Sequence, residues 1–170
     1  MKAKLLSLLL LGSVIFTMNS CSSDSSEGAV TANAIAKSKE VSTYVYSAEE
    51  LKAMELINEY RVSVGLNALK TINHISFKSE EHDFYMISNN VVNHDDFVAR
   101  SQNIIEVLDA SKVGENIAYN YNTPEGALKA WLNSESHKKN IEGNFTHFGL
   151  AIKKDSVTGK KYYTNIFAKI

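Results

Sequence analysis

The sequence predicts an α+β domain, and three observations carry that prediction. Apolar residues recur at three- and four-residue steps through most of Ser47–Lys139. The period changes to two over Phe148–Ile152 and Tyr162–Ala168. Helical segments come first and a β-hairpin comes last, an order that suits a layered α+β domain rather than a parallel α/β one.

The first helix starts at Ser47-Ala-Glu-Glu50, a capping box in which a serine accepts from the helix and a glutamate three residues on reaches back. Leu51, Met54, Ile57, Tyr60 and Val64 follow on one face, and Gly65 suits a left-handed end. Leu66 and Leu69 pack as the chain reverses. A second helix is expected over about Asn73–Ser88, with Ile75, His82, Tyr85 and Met86 inward and Asn89-Asn90 as its break. A third lies within Asp96–Ala110, where Phe97, Ile104 and Leu108 share a face. Thr123-Pro124-Glu125 starts a fourth: a threonine cap, proline at the first helical position and an acid facing the dipole. It is expected to run unbroken to about Lys139. The closing hairpin turns through Asp155-Ser-Val-Thr-Gly159.

The N-terminal end reads differently. Lys2 and Lys4 precede an apolar run, Leu5–Phe16, which is short for a bilayer span and has the charge order of a secretory signal. The run leads to Ser20-Cys21, and Cys21 is the chain's one cysteine. This arrangement resembles a bacterial lipoprotein cleavage site. Residues 1–20 are therefore expected to be a signal peptide and Cys21 the lipidated residue that anchors the chain to a membrane. The competing reading is an ordinary secreted protein with a stray thiol. Residues 21–43 are small and polar, without apolar periodicity, and read as a flexible tether. Similar Ser/Asp/Glu stretches follow the cysteine in some surface-displayed lipoproteins, so the expected location is extracytoplasmic, at the outer membrane or cell surface. Residues 44–170 suffice for one core. Removing residues 1–20 leaves 16 basic against 19 acidic side chains, which argues against a nucleic-acid partner.

Five histidines occur: His74, His82, His94, His137 and His147. No pair has the His-Glu-x-x-His spacing of a zincin helix, and neither a Gly-rich phosphate loop nor a Gly-x-Ser-x-Gly elbow is present. Glu115 stands between Gly114 and Asn116. Glycine permits unusual backbone angles and asparagine bonds nearby backbone, so the carboxylate is directed. It either satisfies loop amides or serves a site. His94 sits in Asn93-His94-Asp95-Asp96 ahead of the third helix, with Asp95 or Asp96 as the expected cap. His137 shares a helical stripe with Ala130, Ser134 and Ile141, beside Trp131, and is either a hydrogen-bonded packing histidine or a site residue. His147 lies at a strand entrance, and His74 and His82 read as structural.

Eight segments in order resemble the CAP superfamily of cysteine-rich secretory proteins, venom allergens and plant pathogenesis-related proteins, closest to short bacterial members without disulfides. They are LINEYRVSVGLNAL (56–69), EHDFYM (81–86), NHDDF (93–97), Arg100, GENIA (114–118), WLNSESHKKNI (131–141), FTHFGLAI (145–152) and YYTNIFAK (162–169). The resemblance implies a three-layer α-β-α sandwich with a central antiparallel sheet. It also implies two histidines and two glutamates around an open cavity. By motif, His94 matches the first histidine and Glu115 the first glutamate. The second glutamate's position, three residues after the tryptophan, holds Ser134, and Glu135 points about 100° away round the helix. His137 stands in for the second histidine, with His147 the weaker candidate.

The expected constellation is therefore His94, Glu115, Ser134 and His137. His94 and His137 are candidate ligands for Zn²⁺ or another divalent ion, completed by Asp95 or water. Glu115 and His137 are the catalytic candidates of a metal-assisted hydrolase acting on an extracellular peptide or envelope component. The favoured expectation is a tethered, non-catalytic domain that binds an extracellular ligand or lipid, since many relatives bind or signal. A purely structural role is the third reading.

Overall fold

The computed structural model describes residues 39–170. The expected signal peptide, Cys21 and the tether up to residue 38 lie outside the described residues. Five helices and four strands follow the order α1 (Ala48–Ser63), β1 (Lys70–Thr71), α2 (Asn73–Asn89), α3 (Phe97–Leu108), β2 (Lys112–Tyr119), α4 (Pro124–Leu132), α5 (Glu135–Ile141), β3 (His147–Lys154) and β4 (Lys161–Lys169). No helix among the described residues is long and apolar enough to cross a membrane.

The sheet runs β1-β3-β4-β2. β3–β4 and β4–β2 are antiparallel, as expected, with Glu115 opposite Ile166 and Phe148 opposite Phe167. The two-residue β1 adds a short parallel edge against His147 and Phe148. Helices cover both faces. Phe148, Leu150, Tyr163 and Phe167 pack with Met54 and Ile57 of α1 and with Leu128, Trp131 and Ile141 of α4 and α5. On the other face Ile166 and Ala168 meet Ile75 of α2 and Ile104 of α3, while Met86 meets Ile117 and Tyr162. This is an α-β-α sandwich. Burying side chains such as Phe148, Leu150 and Phe167, all fully covered, contributes about 1.5–3 kcal/mol each.

The capping box of α1 forms as expected: Glu50 N–H donates to Ser47 Oγ and Ser47 N–H to Glu50 Oε2. The inward face differs from the expected one. Leu51 and Val64 are exposed, whereas Glu50 and Arg61 are fully buried beside Ala53, Met54 and Ile57. Each buried charge has partners. Glu50 accepts from Ile152 N–H on the free edge of β3 at 2.9 Å and from the Tyr44 hydroxyl at 3.1 Å. Arg61 donates to the carbonyls of Asn67, Ile141 and Gly143, which ties α1 to the end of α5. A polar residue at a core position reads as surface in the sequence, yet here it closes a sheet edge or a helix end.

α2 approaches β3 so closely that a Cβ on Gly149 would lie 2.2 Å from the Ser76 nitrogen. α2 ends where Asn90 takes a left-handed conformation, as the Asn-Asn pair predicts. Gly65 is likewise left-handed after α1, at φ +81°. The expected fourth helix is two helices. Asn133 closes α4, and the extended Ser134 opens α5 at a new angle, so Ser134 and His137 do not continue the Ala130 stripe. The packed chain also starts earlier than the expected boundary at Tyr44: Val41 N–H donates to His74 Nδ1 at 3.0 Å and Ser42 O accepts from Asn73 at 2.8 Å.

Candidate functional site

Glu115 lies in β2, an edge strand, rather than in the loop its neighbours suggested. Gly114 has ordinary strand geometry there, since the positive-φ glycines among the described residues are Gly65 and Gly159. Its requirement is space: a Cβ would stand 3.1 Å from both Asn140 Oδ1 and the Phe145 ring. Alternation along β2 then sets the site. Asn116 faces α5, and Glu115 faces the opposite layer, toward α3 and the loop before it.

The Glu115 side chain is 1% exposed and fully partnered. Arg100, one turn into α3, donates from Nε to Oε2 and from Nη2 to Oε1, both at 3.0 Å. His94 Nδ1 lies 2.8 Å from Oε1. A carboxylate only accepts, so Nδ1 carries the proton and donates to Oε1, which leaves Nε2 on the other side of the ring. The His94 side chain is 52% exposed, so this nitrogen belongs to a ring half open to solvent.

Several hydrogen bonds hold the short loop that carries His94. His82, buried in α2, donates from Nε2 to Asn93 O at 2.8 Å. Tyr85 and Asn93 both donate to Asp95 Oδ2 at 2.8 Å, and Arg100 Nη1 donates to Asp95 O at 2.6 Å. Neither Asp95 nor Asp96 caps α3 through its side chain: Asp96 takes the cap position in a left-handed conformation without such a bond, and Asp95 is engaged with Tyr85 and Asn93. His82 Nδ1 is buried without a partner. Burial pushes the His82 pKa below its ordinary value, and the nearby Arg100 charge adds to this.

Ser134 and His137 form a second pair. His137 Nδ1 lies 2.8 Å from Ser134 Oγ, so the serine at the cap position bonds the histidine side chain instead of the helix backbone. Asn116 donates to His137 O at 2.9 Å. Asn140 donates to Glu115 O at 3.0 Å and to Asn116 Oδ1 at 2.9 Å. β2 therefore connects the two pairs: its side chains hold His94 from one layer and the backbone of His137 from the other. The His137 pKa is lowered, first by burial and then by His94, which favours the neutral ring near pH 7.

His147 belongs elsewhere. It lies on β3, two strands from β2, with its ring bonded to Thr146 Oγ1. His74 is structural, accepting from Val41 N–H and bonding Asn103. Glu135 lies in the first turn of α5 and is exposed. Arg100, Asn116 and Asn140 complete the site, although none of them is assigned a role as a site residue from the sequence. The best available clue is Arg100, which falls on the buried side of the expected helix only because a buried acid awaits it.

These residues do not fit a tightly held metal ion. His94 and His137 each have one ring nitrogen left, but both oxygens of Glu115 are engaged by Arg100 and His94, and one oxygen of Asp95 holds two donors. Among the described residues no group of three His, Cys, Asp or Glu side chains is arranged to hold one. Two imidazoles fall short of the three or four protein ligands of zinc sites.

Comparison with known proteins agrees with this architecture. An uncharacterized membrane protein of Bacillus subtilis, YlbC, is 31% identical over 132 residues, covering 74% of this chain and 36% of that protein. An uncharacterized protein of the same organism, YkwD, is 37% identical over 113 residues, covering 61% of this chain and 42% of the relative. The chain thus spans well under half the length of either relative. An outer surface protein of Borrelia burgdorferi superposes with a TM-score of 0.65 at 20% identity, over 76% of this chain and 98% of that one, a likeness of fold. Residues 54–167 match the family described as CAP: Cysteine-rich secretory protein family, which takes in β2, the His94 loop and the Ser134–His137 pair, and the chain belongs to that family.

Proposed function

We propose that this chain is an extracytoplasmic, lipid-anchored CAP domain that binds a ligand without turning it over, with His94 and His137 presenting their free ring nitrogens to that ligand. The observation that carries the reading is the state of Glu115. Its carboxylate is buried, paired with a guanidinium at both oxygens and bonded to His94. A general base needs an accessible lone pair within reach of the substrate proton, and this carboxylate is 1% exposed and already paired at both oxygens. It positions an imidazole instead. The neutral His137 and half-exposed His94 are suited to hydrogen bonding with a polar group of a ligand. The outer surface protein of Borrelia burgdorferi that shares this fold supports the location, and lipidation at Cys21 would hold the domain there.

The test uses the chain from residue 21 with Cys21→Ser, labelled for NMR and titrated with peptidoglycan fragments and with phospholipid micelles. Saturable shifts at His94 and His137, without new products by chromatography, are expected. Product formation that disappears in Glu115→Gln would overturn the binding reading in favour of hydrolysis. For the anchor, Cys21→Ser in cells is expected to move the protein from the membrane to the soluble fraction, and unchanged fractionation would count against lipidation.

A further inference from the structure

Beside the exposed ring of His94 the surface opens into a groove of about 820 Å³, lined by His94, Asp95, Asp96, Phe97, Val98 and Ala99, with Gln102 at its end. Two features distinguish it. Its floor is apolar: Val98 is 80% exposed and Phe97 is partly exposed beside it. Its rim is acidic, with Asp95 and Asp96 both exposed. Arg100, in the same helix as Val98, is held by Glu115 and the Asp95 carbonyl and gives neither carboxylate a salt bridge. No lysine lines the groove. Asp96 sits where a helix cap would normally use its carboxylate, yet it makes no capping bond and leaves that charge for solvent or a partner.

An aliphatic stem ending in a cation matches such a surface, because lysine and arginine lay their methylenes on apolar groups and keep the charged head at an acidic rim. An anionic headgroup would meet two like charges there, and a neutral acyl chain would leave them without a counterion. Resting on the binding reading above, we propose that this groove docks a basic peptide segment. A lysine or arginine stem lies on Phe97 and Val98, its head meets Asp96, and the neighbouring peptide group reaches His94.

The test is fluorescence anisotropy and NMR titration of the chain from residue 21, carrying Cys21→Ser. The probe is an acetylated, amidated hexapeptide, Ala-Leu-Lys-Leu-Lys-Ala, compared with its Lys-to-Glu counterpart. The lysine peptide is expected to shift resonances of residues 95–102 saturably and to bind at least about tenfold tighter than the glutamate peptide. Asp96→Asn is expected to weaken it about three- to fivefold, the factor a solvent-exposed ion pair supports. Val98→Ser should weaken it as well, and raised salt should lower the affinity of wild type more than that of Asp96→Asn. His137→Ala separates the two readings, since it removes an imidazole of the ligand site and leaves the groove intact. Lysine-peptide binding that persists in His137→Ala supports the groove even if the imidazole reading fails. Equal affinity for the two peptides, shifts confined to other residues, preference for dodecylphosphocholine micelles, or a concentration-dependent dimer that buries Val98 would each overturn the proposal.

Discussion

Arg100 and Glu115 meet side-on, the guanidinium Nε and Nη2 each 3.0 Å from a different carboxylate oxygen, with 10% of one side chain and 1% of the other exposed. Removing one partner of so buried a pair leaves the other charge stranded, at a cost of about 3–5 kcal/mol. Arg100→Met is therefore expected to lower urea-unfolding stability by that order and to release His94, seen as a shift of its imidazole resonances. Arg100→Lys keeps the charge but not the fork geometry, and should fall between the two. The double variant Arg100→Met/Glu115→Gln should recover part of the loss. A double-variant loss equal to the sum of the single losses would show that the two residues do not act as a unit.

Gly149 sets the distance between α2 and the sheet. With a Cβ 2.2 Å from the Ser76 nitrogen and 2.7 Å from Ile75 Cβ, alanine has no room against the backbone of a packed helix. Gly149→Ala must displace α2, and overpacking of this kind typically costs about 1–3 kcal/mol or more. Thermal unfolding of the variant against wild type measures it. Melting of Gly149→Ala within about 1 °C of wild type would contradict the close approach.

How much of this was legible in the sequence depends on whether a residue's role is local. The Ser47 capping box, the Asn89-Asn90 stop, the Thr123-Pro124 start and the β3–β4 hairpin rest on neighbours in sequence, and all are present. β2 was missed because Gly114, Glu115 and Asn116 look like turn residues. They are strand residues made tolerable by Arg100, His137 and Asn140, which lie far away in the chain. β1 exists only through its pairing with β3. The break at Ser134 had a local trace, a second serine-plus-acid start inside the expected helix, masked by the continuous spacing of Trp131, Ser134 and His137. His94 and Glu115 are in contact as their motifs suggested. The partner that fixes them, Arg100, stood in the pattern without a role.

Acid sensitivity follows from His82. Its folded-state pKa lies below the ordinary 6.5 because the ring is buried and Arg100 is nearby. Once pH falls below about 6.5, the unfolded chain takes up a proton here that the fold resists, so stability is full above that pH and declines as pH drops toward the depressed value. Asp83 acts in the opposite sense. Complete burial raises its pKa well above the usual carboxylate range, so the fold retains a proton that the unfolded chain releases, and stability from this group is lost as pH rises. A single pH profile mixes the two, and the difference between wild type and His82→Gln isolates the histidine. Glutamine can still donate to Asn93 O, so the variant is expected to lose less stability between pH 7 and pH 5 than wild type. Parallel profiles would show that His82 is not the proton-sensitive group.

Metal binding is the sharpest discriminator between the two chemical readings of His94 and His137. With Glu115 committed to Arg100, a divalent ion would find two imidazole nitrogens and water. Calorimetric titration of zinc into the chain from residue 21, carrying Cys21→Ser, is expected to show only weak uptake that His94→Ala and His137→Ala each abolish. Arg100→Met frees the carboxylate as a third ligand, so zinc should bind that variant more tightly than wild type and restore some of its lost stability. Tight, stoichiometric zinc binding by wild type would mean that the carboxylate leaves Arg100 for the metal. The hydrolase reading would then regain the ligand it lacks.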